Sequence, residues 1–143
     1  MLIVKHTIET TASPAAIWQI WQDVNNWNTW DSGVKFSTIN GPFKTGTTGT
    51  LKPKGGPLVQ IKLTHVRPKK MFISESKLPL TRIIVSHSIT KSGGKTFVTH
   101  HIEMKGLLSF VFAFLIGRNM KKHLPLEMMT MIKKAECVTR GKE

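Results

Sequence analysis

Alternation of apolar and polar residues at the start of the chain indicates a strand. In residues 2–10, Val4, His6 and Ile8 fall on one side, and charged or hydroxyl side chains fall on the other. A period of two with one apolar side is typical of a half-buried strand. We therefore predict that the chain opens with a strand that covers a core with one face.

The next apolar pattern is helical and has a clear start. Ser13 is a good N-cap residue, and Pro14 follows at the first helical position, where its missing N–H removes no hydrogen bond. The apolar side of this short helix consists of Ile17, Trp18, Ile20, Trp21 and Val24. The segment NNWNTWD at 25–31 then carries Trp27 and Trp30, in a loop or a second short helix.

Turn residues divide the middle of the chain into a series of short strands. Between Val34 and Met104 the β-type runs are clearest at 58–66, 80–90 and 96–104. Turn signals recur at Asn40-Gly41-Pro42, Lys54-Gly55-Gly56-Pro57, Arg67-Pro68, Leu78-Pro79 and Gly93-Gly94. About six strands without an intervening helix predict an antiparallel meander, and one face of it needs a cover.

The last hairpin allows its register to be predicted. If Gly93 and Gly94 are the central turn residues, each apolar position of one strand meets an apolar position of the other. The predicted pairs are Ile89 with Val98, His87 with His100, Val85 with Ile102, and Ile83 with Met104. A four-residue loop from Ser92 to Lys95 would keep the same pairs.

Helical periodicity predicts a long amphipathic helix from Leu107 to Ala135. One face collects Phe110, Phe114, Gly117, Leu124, Met128, Met131, Ile132 and Ala135. Pro125 removes a backbone donor and crowds the carbonyl of Lys121, so a kink is expected near 121–125.

The beginning of this helix, Leu107 to Ile116, is apolar on all sides except at Ser109. Such a helix is buried, faces lipid or borders an apolar cavity. The run is well short of the roughly 20 residues that span a bilayer, which excludes a transmembrane helix. We expect packing between the sheet and the loops rather than contact with a membrane.

Composition adds a strong positive charge to this picture. The 143 residues contain 21 Lys and Arg against 8 Asp and Glu, a formal charge of +13, which favours an anionic partner or surface. The lysines are scattered rather than clustered, which fits plain solubility equally well.

Length predicts one domain over 1–143. The single cysteine, Cys137, excludes an internal disulfide, and without a secretory signal the protein is expected to be cytoplasmic.

Histidine is the main candidate for chemistry. By alternation His6, His65, His87 and His100 point to the apolar side, whereas His101 and His123 do not. An acid/base pair would use His87 and His100, with Lys121 as a further candidate. Hydrogen bonding to a neighbour, a water or a ligand is the simpler interpretation. No metal site and no cofactor are expected, because the sequence has no close-spaced motif such as HExxH and no phosphate-binding glycine loop.

Other function classes find little support. No G-x-S-x-G or Cys/His nucleophile motif is present. A protein that binds single-stranded nucleic acid exposes aromatic side chains on a basic sheet face. Here the tryptophans cluster at 18–30 instead, which argues against nucleic acid.

Four segments together resemble one known superfamily over nearly the whole chain. They are ASPAAIW at 12–18, DVNNWNTWD at 23–31, GPFKTGTTGTLKPKGGP at 41–57 and VTHHIEMKG at 98–106. In this order they resemble the START/Bet v 1-like (SRPBCC) superfamily, in particular its bacterial polyketide cyclase/dehydrase and lipid-transport group.

The resemblance implies an α+β helix-grip fold: a seven-stranded antiparallel sheet curved around a long C-terminal helix, with two short helices after the first strand. It also implies an apolar cavity between sheet and helix, although in a small member the same side chains could simply fill the core. The implied cavity residues are Trp27, Trp30, Ile83, Val85, His87, His100, Ile102, Phe110, Phe114 and Met128.

We therefore expect a protein that binds or carries an apolar or amphipathic small molecule, such as a lipid, fatty acid or polyketide. One alternative is an aromatase/cyclase or dehydratase-type enzyme that uses His87 or His100. Another is binding of nucleic acid or an anionic membrane through the basic surface. Neither the ligand nor the oligomeric state follows from the sequence.

Overall fold

The secondary structure follows the predicted order of elements. The computed structural model describes residues 2–141. Its strands are β1 (Leu2–Thr10), β2 (Val34–Ile39), β3 (Thr48–Pro53), β4 (Val59–Arg67), β5 (Met71–Leu78), β6 (Thr81–Ser92) and β7 (Lys95–Lys105). Its helical segments are α1 (Pro14–Gln22), a 3₁₀ helix (Val24–Thr29), α2 (Ser109–Phe112), a π-helical turn (Ala113–Gly117) and α3 (Arg118–Gly141).

The seven strands form one antiparallel sheet in the order β1-β7-β6-β5-β4-β3-β2. The meander of six strands after α1 is thus confirmed, and β1 closes the sheet by pairing with β7. The sheet curls around the C-terminal helix, with the short helices after β1. This is the α+β helix-grip architecture that the resemblance implied.

The predicted register of the last hairpin is confirmed. His87 pairs with His100, Val85 with Ile102, and Ile83 with Met104 across β6 and β7. This register forms because it places the apolar side of one strand against the apolar side of the other.

Local signals also place the first helix correctly. The Ser13 hydroxyl accepts a hydrogen bond from the backbone N–H of Ala16 at 3.1 Å, and Pro14 begins the helix. The second segment, left open as a loop or a short helix, is the 3₁₀ helix that holds Trp27. Trp27 Nε1 donates to the carbonyl of Trp21 at 2.9 Å, which ties the two helices together.

The C-terminal helix departs from the prediction in its first part. It begins at Ser109 rather than Leu107, a π turn lies at Ala113–Gly117, and α3 is one helix that contains Pro125. A π turn holds one extra residue, so the residues before it and at its beginning are rotated by up to about 100° relative to the buried face. The prediction that Phe110 and Phe114 share that face is therefore wrong: they are 68% and 86% exposed.

The rest of the predicted helix face is confirmed. Its members from Gly117 onward, namely Gly117, Leu124, Met128, Met131, Ile132 and Ala135, are all buried. Trp21 of α1 donates through Nε1 to the Met131 sulfur at 2.9 Å. Near the end of α3, Glu136 accepts hydrogen bonds from the hydroxyls of Thr10 and Thr11, which anchors the helix to the end of β1.

One histidine lies on the other face from the one predicted. A β-bulge in β4 shifts the pairing between Leu63, which faces Ser74, and His65, which faces Ile73. The extra residue reverses the alternation, so His65 is exposed and Val66 packs toward the core.

Candidate functional site

Three histidines lie side by side across the inner face of the sheet. Strand pairing sets His6 of β1 opposite His100 of β7, and His100 opposite His87 of β6. His87 and His100 are buried and His6 is half-buried. Sequence reasoning correctly brought His87 and His100 together.

Aromatic rings enclose the two buried imidazoles. The His87 and His100 ring centroids are 4.4 Å apart, and His87 stacks on Phe72 at 4.0 Å with an interplanar angle of 7°. Trp21 contacts both rings, at 5.5 Å from His87 and 6.0 Å from His100, while Trp30 lies 6.2 Å from His100. The imidazoles therefore sit in an apolar environment.

This environment keeps both imidazoles neutral at physiological pH. Burial, and next the charge of neighbouring His6, lower the pKa of His100 from 6.5 to about 3. Burial, and next the charge of His100, lower the pKa of His87 well below its ordinary value, against a smaller opposing effect of the Phe72 backbone. Each ring thus offers one donor and one acceptor nitrogen.

Several of the polar atoms here lack a partner. Trp30 Nε1, His87 Nδ1 and His100 Nε2 are buried and form no hydrogen bond within residues 2–141. Buried polar atoms are nearly always hydrogen-bonded, so three such atoms in adjacent rings call for an explanation.

The other positions assigned to a cavity fall into three groups. Trp27, Trp30, Ile102 and Met128 are buried in the hydrophobic core. Ile83 and Val85 are half-buried near the beginning of β6 and pack against the edge of that core. Phe110 and Phe114 face solvent, as does Lys121.

The inner face thus changes in exposure along β6. It is closed around His87 and less covered toward Val85 and Ile83. At the same end, the turn between β5 and β6 lies against Gly106, and the backbone N–H of Leu108 donates to the carbonyl of Leu80 at 3.3 Å. A concavity of about 310 Å³ on this end is lined by Lys77, Leu78, Leu80, Thr81, Arg82, Lys105 and Gly106.

A second polar pair was missed by sequence reasoning. The half-buried carboxyl groups of Asp31 and Glu127 are hydrogen-bonded to each other. Burial, then the charge of Asp31 and this hydrogen bond, raise the pKa of Glu127 from 4.5 to about 9. Burial also raises the pKa of Asp31, against the hydrogen bonds from Glu127 and the Gly33 backbone.

The only sequence signal for this pair is weak. Asp31 follows buried Trp30, and Glu127 precedes buried Met128, so each borders an apolar position. Nothing in the sequence indicates that these two distant carboxylates meet.

Residues 2–141 contain neither a metal-binding cluster nor a helix that could span a membrane. No group of three or more His, Cys, Asp or Glu side chains there could hold a metal ion. None of the helices described is both long enough and apolar enough to cross a bilayer.

The family of the chain follows from comparison with known proteins. The model of the family "Polyketide cyclase / dehydrase and lipid transport" matches residues 1–128. The chain belongs to this family. No curated protein matches it.

Several solved structures share the fold of this polyketide cyclase/dehydrase and lipid-transport family member, at low sequence identity. TTHA0849 from Thermus thermophilus has 10% identity and a TM-score of 0.74, over 96% of this chain and 99% of the other. Protein jhp0584 from Helicobacter pylori has 10% identity and a TM-score of 0.77, over 94% and 88%.

A third similar structure is the di-domain ARO/CYC StfQ from the steffimycin biosynthetic pathway. It has 10% identity and a TM-score of 0.72, over 98% of this chain and 51% of StfQ. At these identities the likeness establishes the SRPBCC-type fold alone.

Proposed function

We propose that this family member binds an apolar or amphipathic small molecule between the sheet and the C-terminal helix. The observation that carries the proposal is the set of three unpartnered polar atoms on Trp30, His87 and His100. A ligand hydroxyl, carbonyl or carboxyl group would hydrogen-bond to them, and its apolar part would lie among the surrounding rings.

The ligand would enter where the inner face is least covered. Ile83 and Val85, half-buried near the beginning of β6, lie between the histidine pair and the start of the C-terminal helix. Met128 and Met131, which are fully buried, can change side-chain conformation to make room, because methionine has three flexible torsions and no branch.

Binding is a better proposal than catalysis for the histidine pair. The runner-up, an aromatase/cyclase or dehydratase-type enzyme, takes its support from the family and from the description of StfQ as an ARO/CYC protein. A general base works best when its pKa is near the ambient pH. With a pKa of about 3, His100 is a weak base, yet still a good hydrogen-bonding group.

The first test is native mass spectrometry of gently purified protein, followed by solvent extraction of any released molecule. A discrete extra mass over the 16.1 kDa chain that is lost on denaturation would support the proposal. A bare chain that also fails to take up a fluorescent apolar probe would overturn it.

Variants then separate binding from catalysis. His87→Ala and His100→Ala should weaken displacement of the probe by a carboxylate-bearing lipid, whereas His65→Ala, on the exposed side, should not. If extracts reveal a substrate that the wild type converts, loss of turnover with unchanged affinity in the same variants would favour the enzyme.

A further inference from the structure

The beginning of the C-terminal helix presents a large apolar surface to solvent. The apolar tip, as we call it, comprises Leu80, Leu107, Phe110, Phe114 and Leu115, all strongly exposed. Gly106 lies against the Leu80 carbonyl, so the turn between β5 and β6 and the helix start form one continuous surface. Contiguous exposed apolar patches of this kind mark interaction sites.

Basic side chains surround the apolar tip. On one side, Lys77, Arg82 and Lys105 line the adjoining concavity. On the other, Arg118, Lys121 and Lys122 are exposed on the first turns of α3. These six residues form the basic rim.

Little negative charge offsets the basic rim. The sequence has no Asp or Glu from 104 to 126, nor from 76 to 102. Glu75 and Glu103 pair with Arg82 and Lys105 at 3.3 and 3.6 Å. Within residues 2–141, Lys77, Arg118, Lys121 and Lys122 form no ion pair, which leaves their charges available to a partner.

We propose that the apolar tip docks into the surface of an anionic lipid membrane. Exposed Phe and Leu side chains next to Lys and Arg are the composition of helices that lie in the membrane interface. The apolar side chains would enter the acyl boundary, and the basic rim would contact phosphate headgroups. The surface differs from the proposed ligand site, so the two proposals can fail separately.

A second copy of this chain fits the surface less well. Self-association through the apolar tip would bring two basic rims together in a protein of net charge +13, and like charges would repel. A nucleic acid would satisfy the basic rim but would leave most of the apolar tip uncovered.

The test measures co-sedimentation with vesicles of phosphatidylcholine alone, and of phosphatidylcholine and phosphatidylglycerol in about equal parts. Wild-type protein should bind the anionic vesicles about tenfold more tightly or better. Phe110→Ser with Phe114→Ser should weaken this binding about tenfold or more. The matched control, Phe36→Ser with Leu58→Ser, removes two exposed apolar side chains elsewhere and should leave binding unchanged.

A charge series tests the basic rim. Lys121→Glu with Lys122→Glu should weaken binding more than Lys35→Glu with Lys44→Glu, which changes net charge equally at exposed positions away from the tip. Circular dichroism verifies that every variant is folded.

The proposal would be overturned if the wild type failed to bind anionic vesicles, or if the phenylalanine variant bound them as tightly as its control. Equal effects of the two lysine pairs would overturn it as well. So would a dimer of the wild type that binds no vesicles and that dissociates in the phenylalanine variant alone. Tip-dependent binding of a DNA or RNA oligomer in place of vesicles would overturn it too. Uptake of an apolar probe tests the ligand site independently, because it needs no vesicle.

Discussion

The carboxyl groups of Asp31 and Glu127 share a hydrogen bond, and one of them keeps its proton at neutral pH. The pKa of Glu127 is about 9. This pair joins the segment before β2 to the middle of α3. At neutral pH Glu127 holds a proton in the folded protein, whereas the same group in the unfolded chain would have released it. Stability therefore depends on pH.

The Glu127→Gln variant should remove that dependence. A folded pKa raised from 4.5 to about 9 contributes stability that is complete below pH 4.5 and is lost as the pH rises toward 9. Glutamine can still donate to Asp31 but has no proton to lose. At pH 8 the variant should be more stable than wild type by several kcal/mol, up to about 5 kcal/mol.

Urea denaturation at acid, neutral and alkaline pH measures this difference. Near pH 4 the two proteins should be similarly stable. Parallel pH profiles for variant and wild type would show that the two carboxyls do not share a proton.

The buried imidazoles impose the opposite dependence. The pKa of His100 is lowered from 6.5 to about 3, so its stability contribution is present above pH 6.5 and is lost as the pH falls toward 3. His100→Leu, of similar size, should make the free energy of unfolding fall less steeply over this range, whatever the variant's stability at pH 7. An unchanged slope in acid would contradict the assignment of a neutral buried His100.

Two neighbouring methionines provide a test of the helix face. Met128 is 0% exposed and Met129 is 44% exposed. Met128→Ala should cost about 2–4 kcal/mol because it removes packing and leaves a cavity, whereas Met129→Ala should change stability by about 0.5 kcal/mol or less. Thermal or urea unfolding of both variants measures the contrast. Equal losses would mean that α3 is rotated relative to the sheet.

Gly106 is required where β7 turns toward the C-terminal helix. Its φ is +124°, and an added Cβ would overlap the Leu80 carbonyl oxygen. Gly106→Ala should therefore destabilise the fold by about 3 kcal/mol or more.

Gly94 is a matched control for this substitution. Its φ is +80°, but an added Cβ would meet no atom within 4 Å. Gly94→Ala should lower the free energy of unfolding by about 1 kcal/mol, which is the cost of a positive φ for a residue with a Cβ. Similar unfolding midpoints for the two alanine variants would rule out the close contact between Gly106 and Leu80.

Predictions from the sequence were accurate wherever polar residues along one side of an element showed which side faces the core. The β6–β7 hairpin pairs as expected because the glycine turn and the alternation on both strands agree on one register. In contrast, residues 107–116 are apolar almost all round, so their pattern contains no information about which side faces the core. The π turn and the exposure of Phe110 and Phe114 could not be predicted from it.

Non-local geometry explains the remaining errors. The bulge that exposes His65 depends on how β4 pairs with β5, which alternation within β4 cannot reveal. Asp31 and Glu127 lie far apart in sequence and meet only because α3 packs beside the end of the 3₁₀ helix, where Lys134 of α3 donates a hydrogen bond to Thr29. The histidine pair was predictable because both of its members lie in one hairpin.

The pairing of β1 with β7 has a consequence for the synthesis of the protein. Thr10 pairs with Thr96 and Val4 with Ile102, so β1 leaves the ribosome long before its partner strand, β7, has been synthesised. The hairpins from β2 to β6 can form during translation, but β1 can only be added once β7 has emerged. Closure of such a distant contact is slow, and β1 remains an unpaired edge until then. Early release of a truncated chain would thus leave both β1 and β6 open to pairing with other chains.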